Sequence, residues 1–270
     1  MNALLAVMAA LLSVLALYLP TRTQSFTRVM VDGQGIRMLV AGQGNATVVF
    51  ETGSGGPLEN WGKVQPGVSR FARTVSYDRA GAGLSDKGPL PRHGRRIAHE
   101  LRGALQAANI APPYILVGAS LGGPYARIFA ASYPDDVAGL VLVDPTPDSE
   151  HFDRPAGATE LEAWPATLDQ LRAGQLRAGL PVFLIDALSP PYVPFTTEAY
   201  RALRLRNRAE IAAESVEYQD WLRTIPGSRL IVTGRSGHNV AQEQPQLVVD
   251  TIRELLELVV DDRGQPRARQ

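Results

Sequence analysis

The residues best able to do chemistry are a serine and a histidine. Ser120 stands in Gly118-Ala119-Ser120-Leu121-Gly122, between an apolar run at 114–117 (YILV) and an apolar helical stretch at 121–132. Small residues on both sides of a serine let a strand turn tightly into a helix, where the two approach closely and the backbone is strained. The helix that follows points free N–H groups and the positive end of its dipole at any oxyanion formed on that serine. Serine is a poor nucleophile at its own pKa, so the chain must also supply a base. Of the four histidines, His238 is best placed. It lies in Ser236-Gly237-His238-Asn239, just after the last apolar run at 229–233, and a loop at the carboxyl edge of a parallel sheet hangs over the turn that carries Ser120. His93 and His99 sit on or beside a polar helix face and His151 in a Pro- and Ala-rich segment, so these three read as solvated surface residues. The bland alternatives are a glycine-rich connection at 118–123 and a loop histidine without a partner. The strand-turn-helix context argues against the first, and the position of His238 against the second.

The elements that must position these groups alternate along the chain. Runs at 27–31 and 36–40 flank the turn Asp32-Gly33-Gln34-Gly35 and read as a hairpin. Short buried strands are expected at 47–51 and 74–77, then at 114–117, 139–143, 181–185 and 229–233. Helical periodicity appears at 95–108, with Ile97, Leu101, Ala104, Leu105 and Ala108 on one face, and again at 121–132, about 197–222 and 245–260. β-branched runs alternating with helices indicate an α/β fold, a mostly parallel eight-stranded sheet with helices on both faces. The segment at about 146–180, rich in Pro, Ala, Glu and Arg, reads as a small helical cap, and 261–270 as a polar tail. The tandem Leu171-Arg172-Ala173-Gly174 and Leu176-Arg177-Ala178-Gly179 is too short to be a solenoid.

Composition excludes several classes. Lys plus Arg (27) balances Asp plus Glu (27), so no long-range field draws the chain to nucleic acid. The absence of cysteine rules out a disulfide scaffold, thiolate metal sites and a cysteine nucleophile. Residues 3–19 carry no charge, and Pro20 and Arg22 end the run. As a helix this run would reach about 25 Å, just under the roughly 30 Å of a bilayer core. Leu17, Tyr18 and Leu19 stand where a signal peptidase wants Ala-x-Ala, and only Asn2 precedes the run. Residues 1–22 are therefore expected to anchor the protein to a membrane by its N-terminus, with secretion or a periplasmic location after cleavage as the alternative.

The chain order serine, acid, histidine, together with the strand pattern, resembles the α/β-hydrolase superfamily over about residues 27–260. Three further stretches carry the resemblance. Glu51-Thr52-Gly53-Ser54-Gly55-Gly56 looks like the family's oxyanion loop, and Asp78-Arg79-Ala80-Gly81-Ala82-Gly83-Leu84-Ser85 is similar to its Asp-Arg-x-Gly-x-Gly-x-Ser block. Gly237-His238 with Glu243 and Pro245 resembles its histidine loop. Bacterial esterase-like serine hydrolases are the most similar branch. Thr52 and Ala119 depart from it, standing where many relatives have histidine, which bears on substrate preference rather than on chemistry. The resemblance implies an oxyanion hole made by the backbone N–H groups of Ser54 and Leu121. A phosphate-cradle reading of the loop fails because no Gly-Lys-Ser/Thr follows Gly56-Pro57. In the most familiar layout the acid follows the seventh strand, but Ser189-Pro190-Pro191 occupies that place and Asp186 comes too early. Asp144, at the end of the sixth strand, is the acid expected here, with Asp148 and Asp186 in reserve and a cap before Pro145 as the alternative role of Asp144. Asp78-Arg79 reads as a structural buried pair or turn clamp.

The expectation is thus a serine hydrolase that cleaves carboxylic esters through an acyl-enzyme. Ser120 would be the nucleophile, His238 the base and Asp144 the orienting acid, with neither cofactor nor metal. The Leu, Ala and Trp164 content of the cap suggests a small-molecule ester substrate with an apolar acyl group. A carbon-carbon bond hydrolase, thioesterase, amidase or acyltransferase of the same fold is the alternative, and a non-catalytic receptor or scaffold is the rival from another class.

Overall fold

A computed structural model of the chain describes residues 24–150, 152, 159–188 and 198–260. The expected anchor at 1–22, the tail at 261–270, His151 and Ser189-Pro190-Pro191 lie outside these. Among the described residues no helix is long and apolar enough to cross a membrane.

The strands are β1 (Gln24–Val31), β2 (Gln34–Ala41), β3 (Thr47–Glu51), β4 (Arg73–Tyr77), β5 (Tyr114–Ser120), β6 (Val137–Pro145), β7 (Val182–Ala187) and β8 (Arg229–Thr233). They form one eight-stranded sheet in the order β1-β2-β4-β3-β5-β6-β7-β8. Only the pairings of β2 with β1 and with β4 are antiparallel. The first hairpin turns more tightly than the spacing suggests, because Gln34 and Gly35 already pair with Val31 and Met30. Asp32 (φ 48°) and Gly33 (φ 84°) alone make the turn. Two positive-φ residues match the twist of the flanking strands.

The helices are α1 (Gln65–Val68), α2 (Gly94–Ala107), α3 (Gly122–Ser132), α4 (Thr159–Glu162), α5 (Trp164–Ala173), α6 (Glu198–Arg223), α7 (Val240–Glu243) and α8 (Pro245–Val259), with a 3-10 turn at Leu58–Trp61. α2 buries Ile97, Leu101, Ala104 and Leu105, the face that its 3.6-residue period marks. It starts at His93, whose Nδ1 accepts the Arg96 N–H at 3.3 Å, a capping role. Alternate residues of the central strands point to opposite faces and build two cores. One gathers Leu116, Leu140, Leu142 and Leu184 with α2, α3 and α5, and the other gathers Ile115, Val117, Val141, Val143 and Ile185 with α8.

α4 and α5 lie in the segment at 146–180. Trp164, expected to shape an acyl pocket, is only 3% exposed and packs into the first core. Its Nε1 donates to Glu150 O at 2.8 Å, and its ring meets Phe152 edge-on at 5.4 Å. A large ring whose polar atom is satisfied internally is more stable buried than lining a cleft.

Candidate active site

Both chemical residues of the sheet sit where a strand breaks its own geometry. Ser120 ends β5 at φ 51° and Asp144 lies near the end of β6 at φ 44°, both in the left-handed region that non-glycine residues seldom enter. The two strands are neighbours, with Ala119 opposite Val143 and Ser120 opposite Pro145. A register shift between Ala119 and Ser120 marks the turn into α3. The turn is possible because Gly122 has no side chain: a Cβ there would fall 2.4 Å from Glu51 O and 2.6 Å from Thr52 O. Such a conformation persists only where the surroundings over-determine it, and it occurs most often at functional sites.

His238 is brought to Asp144 across 94 residues of sequence, Nδ1 lying 2.7 Å from Oδ2. The other carboxylate oxygen of Asp144 accepts the Ala187 N–H at 2.9 Å, which fixes the carboxylate plane. The pKa of His238 is raised above its ordinary 6.5, first by the hydrogen bond to Asp144, against the opposing effect of burial, and further by the charges of Asp144 and Glu214. The arrangement therefore favours the imidazolium. Ser120, His238, Gly53 and Ser54 line one cavity of about 310 Å³, with Thr52, Trp61 and Val143 among its other walls. No lysine or arginine stands among the described residues lining it. Neither the Ser54 N–H nor the Leu121 N–H finds an acceptor among the described residues. Leu121 caps α3 at its N-terminus.

The reserve acids are engaged elsewhere. Asp186 accepts Ser215 Oγ at 2.5 Å, and burial pushes its pKa up. Asp148 pairs through both oxygens with Arg127, at 2.6 and 3.0 Å. His99 sits on the surface with Nε2 2.9 Å from Asp32. Asp78 accepts the backbone N–H groups of Leu58 and Leu84 at 2.7 and 2.9 Å and pairs with Arg37. That is a turn clamp.

Three residues at or around the site escape sequence reasoning. Glu214 on α6 feels the charges of Asp144 and His238, and burial, with Asp144 and Glu150 adding, pushes its pKa up to about 7. Glu51 and Glu160 both bind Arg79 beneath the Gly53-Ser54 loop. Glu51 opens the glycine-rich loop motif, but no local pattern flags its role there or singles out Glu160 or Glu214, because these interactions arise only through the tertiary fold. A second cavity of about 510 Å³ lies under α6, with Leu142, Pro145, Leu184, Val216 and Trp221 in its walls.

These features define the class. The sequence profile described as the alpha/beta hydrolase fold matches residues 46–247, and the chain belongs to that family. It is 34% identical over 104 residues to the uncharacterized protein YqjL of Bacillus subtilis strain 168, covering 38% of this chain and 41% of that protein. The chain thus spans less than half the length of that relative. Over 82% of both chains it is 27% identical to a 2-hydroxy-6-oxononadienedioate/2-hydroxy-6-oxononatrienedioate hydrolase of Burkholderia vietnamiensis strain G4. Among solved structures, the enol-lactonase of Burkholderia xenovorans LB400 superposes with a TM-score of 0.62 at 17% identity, covering 85% of this chain and 99% of that one.

Proposed function

We propose that this hydrolase-family protein is a serine esterase acting on uncharged carboxylic esters with an apolar acyl group. Ser120 Oγ attacks the ester carbonyl while His238 Nε2 takes its proton, and Asp144 holds the imidazole in the tautomer that leaves Nε2 free. The Ser54 and Leu121 N–H groups receive the oxyanion. His238 then returns the proton to the leaving alcohol, and water frees the acyl-enzyme by the same steps in reverse. The 2.7 Å contact between His238 and Asp144, above the cavity shared with Ser120, is the observation that carries this reading.

The Burkholderia relative favours a carbon-carbon bond hydrolase as a second reading. A dianionic substrate wants cationic partners, and among the described residues lining the Ser120 cavity His238 alone can carry a positive charge. That supports the ester. The larger cavity includes Pro145, next in the chain to Asp144, and its walls combine Leu142, Leu184, Val216 and Trp221 with Arg127, Asp148, Glu217 and Asp220, so only its apolar part suits the acyl group in this reading.

The test is a panel of activated esters of rising acyl length run beside a fluorophosphonate probe. Wild type turns over esters and is labelled at Ser120, and Ser120→Ala loses both with its fold intact. Label on another residue, or wild-type turnover in the variant, would remove the esterase reading. Hydrolysis of the dienedioate in preference to every ester would promote the second.

A further inference from the structure

The side chain of Arg79 is 1% exposed and lies under the loop that carries Ser54. Its Nη1 donates to Glu51 Oε1 at 2.6 Å and to Thr52 O at 2.7 Å. Nη2 donates to Gly53 O at 2.6 Å. The remaining edge of the guanidinium forks onto Glu160 of α4, with Nε 2.7 Å from Oε1 and Nη2 2.9 Å from Oε2. Glu160 also accepts the Gly55 N–H at 3.3 Å. Burial alone would push the Glu160 carboxyl up, but the charge and hydrogen bonds of Arg79 hold it below the usual carboxylate range.

The consequence follows from one peptide plane. In a trans peptide the C=O of one residue and the N–H of the next point in opposite directions. The Gly53 carbonyl points down to Arg79, and the Gly56 N–H closes on the same oxygen at 3.2 Å. The Ser54 N–H therefore points away from Arg79. The same residue abuts the nucleophile: a Cβ on Gly53 would stand 3.2 Å from the Ser120 Cβ and 3.6 Å from its Oγ. Lysine, a point charge without the fork, cannot serve Thr52 O, Gly53 O and Glu160 together.

We infer that Arg79 and Glu160 are positioning residues for the hydrolysis, with the carboxylate on α4 holding the guanidinium that aims the Ser54 N–H at the oxyanion. This rests on the serine-esterase reading. The segment after β6 thereby acts on the chemical step, through Glu160, and not only on what enters the cavity. A hydrogen-bond donor aimed at the transition state affects kcat more than substrate binding.

The experiment compares wild type, Glu160→Gln, Glu160→Asp and Arg79→Lys for ester kcat and KM, the kcat/KM pH profile, and affinity for an alkylboronic acid that forms a tetrahedral adduct with Ser120. Loss of a whole oxyanion donor costs about 10²–10³ in kcat, so a misaimed one is expected to cost about 10- to 100-fold in Glu160→Gln and Arg79→Lys. Boronate affinity should fall in proportion, KM should stay within about threefold, and the acid limb set by His238 should not move. Glu160→Asp keeps the charge at one methylene's retreat and should fall between wild type and Glu160→Gln. It carries the test alone if the other two do not fold. Folded variants with kcat and boronate affinity within about twofold of wild type, or a loss confined to KM, would overturn the inference and leave the esterase reading standing. A wild-type protein neither labelled by fluorophosphonate nor active on esters would overturn both.

Discussion

Asp144→Asn is the most informative single substitution, because the surroundings dictate how the amide must sit. Asparagine has the shape of aspartate and tolerates the φ of 44° found at this position. The Ala187 N–H, 2.9 Å from Oδ1, needs an acceptor and so holds the amide oxygen on its side. The amide NH₂ then faces His238 Nδ1, where Oδ2 stood at 2.7 Å. Two donors cannot meet, so Nδ1 becomes the acceptor and the proton moves to Nε2, the atom that should receive the proton of Ser120. Loss of the hydrogen bond to a charged partner costs about 1.5–3 kcal/mol, or about 10- to 150-fold in rate. The wrong tautomer extends the loss toward about 10⁴-fold. A kcat lower by about 10² to 10⁴ is expected, read by ester hydrolysis on protein whose melting temperature matches wild type. The pH profile gives a second readout. Asp144 is the leading cause of the raised His238 pKa, so the acid limb of kcat/KM should move down toward the ordinary 6.5. The linkage has a definite sign. A histidine pKa raised by folding adds stability that is fully present below 6.5 and is lost as pH rises through the raised value. The stability gap between wild type and variant should therefore shrink as the medium turns alkaline. Asp186→Asn, whose parent residue bonds Ser215 and not His238, should lose less than about tenfold in kcat. A folded Asp144→Asn with kcat within tenfold of wild type, or an equal loss in Asp186→Asn, would refute the assignment of the acid.

Two more substitutions are open to measurement. Glu214→Gln removes a charge that raises the His238 pKa, so the acid limb of kcat/KM should shift down by a smaller step than in Asp144→Asn. Burial raises the Glu214 pKa from 4.5 to about 7, so wild type loses stability as pH climbs through that window, and Glu214→Gln should melt higher than wild type at pH 8 but not at pH 4. Gly122→Ala would press a methyl group to 2.4 Å from Glu51 O, against backbone rather than a flexible side chain. It should lower the unfolding free energy by about 1–3 kcal/mol, read as a lower denaturant midpoint, and slow fluorophosphonate labelling of Ser120, and an unchanged midpoint would contradict the packing argument.

What could be read from the sequence depended on how local each signal was. The strands β3, β5, β6 and β7 are buried and mostly apolar on both faces, and α2, α3 and α8 repeat their apolar residues over several turns, so composition and period mark them. The Ser120 turn is legible because close approach of backbone to backbone leaves room only for small residues on both sides. The 3-10 turn at Leu58–Trp61 and the single-turn helices α1 and α7 are too short to show a period. Trp164 misleads because a large apolar ring in a polar segment fits a core as well as a pocket. Arg79 reads as half of a local pair with Asp78, but its carboxylate partners are Glu51 and Glu160, 28 and 81 residues away. Only the folded sheet brings those charges together. The same holds for Glu214, one polar residue among many on α6.

That Ser120 and Asp144 leave adjacent, hydrogen-bonded strands has a consequence for how the protein can change. Their separation is set by the ladder between β5 and β6, whose register runs from Tyr114 opposite Val137 to Ser120 opposite Pro145. Neighbouring strands keep a spacing of about 4.8 Å whatever the connecting loops do. A design with the acid beyond β7 ties its reactive geometry to a further connection, whereas the acid proposed here, Asp144, stands on β6 itself. Changes to the loops that join these strands should therefore leave the distance between Ser120 and Asp144 as it is, a fixed frame around which the rest of the chain can vary.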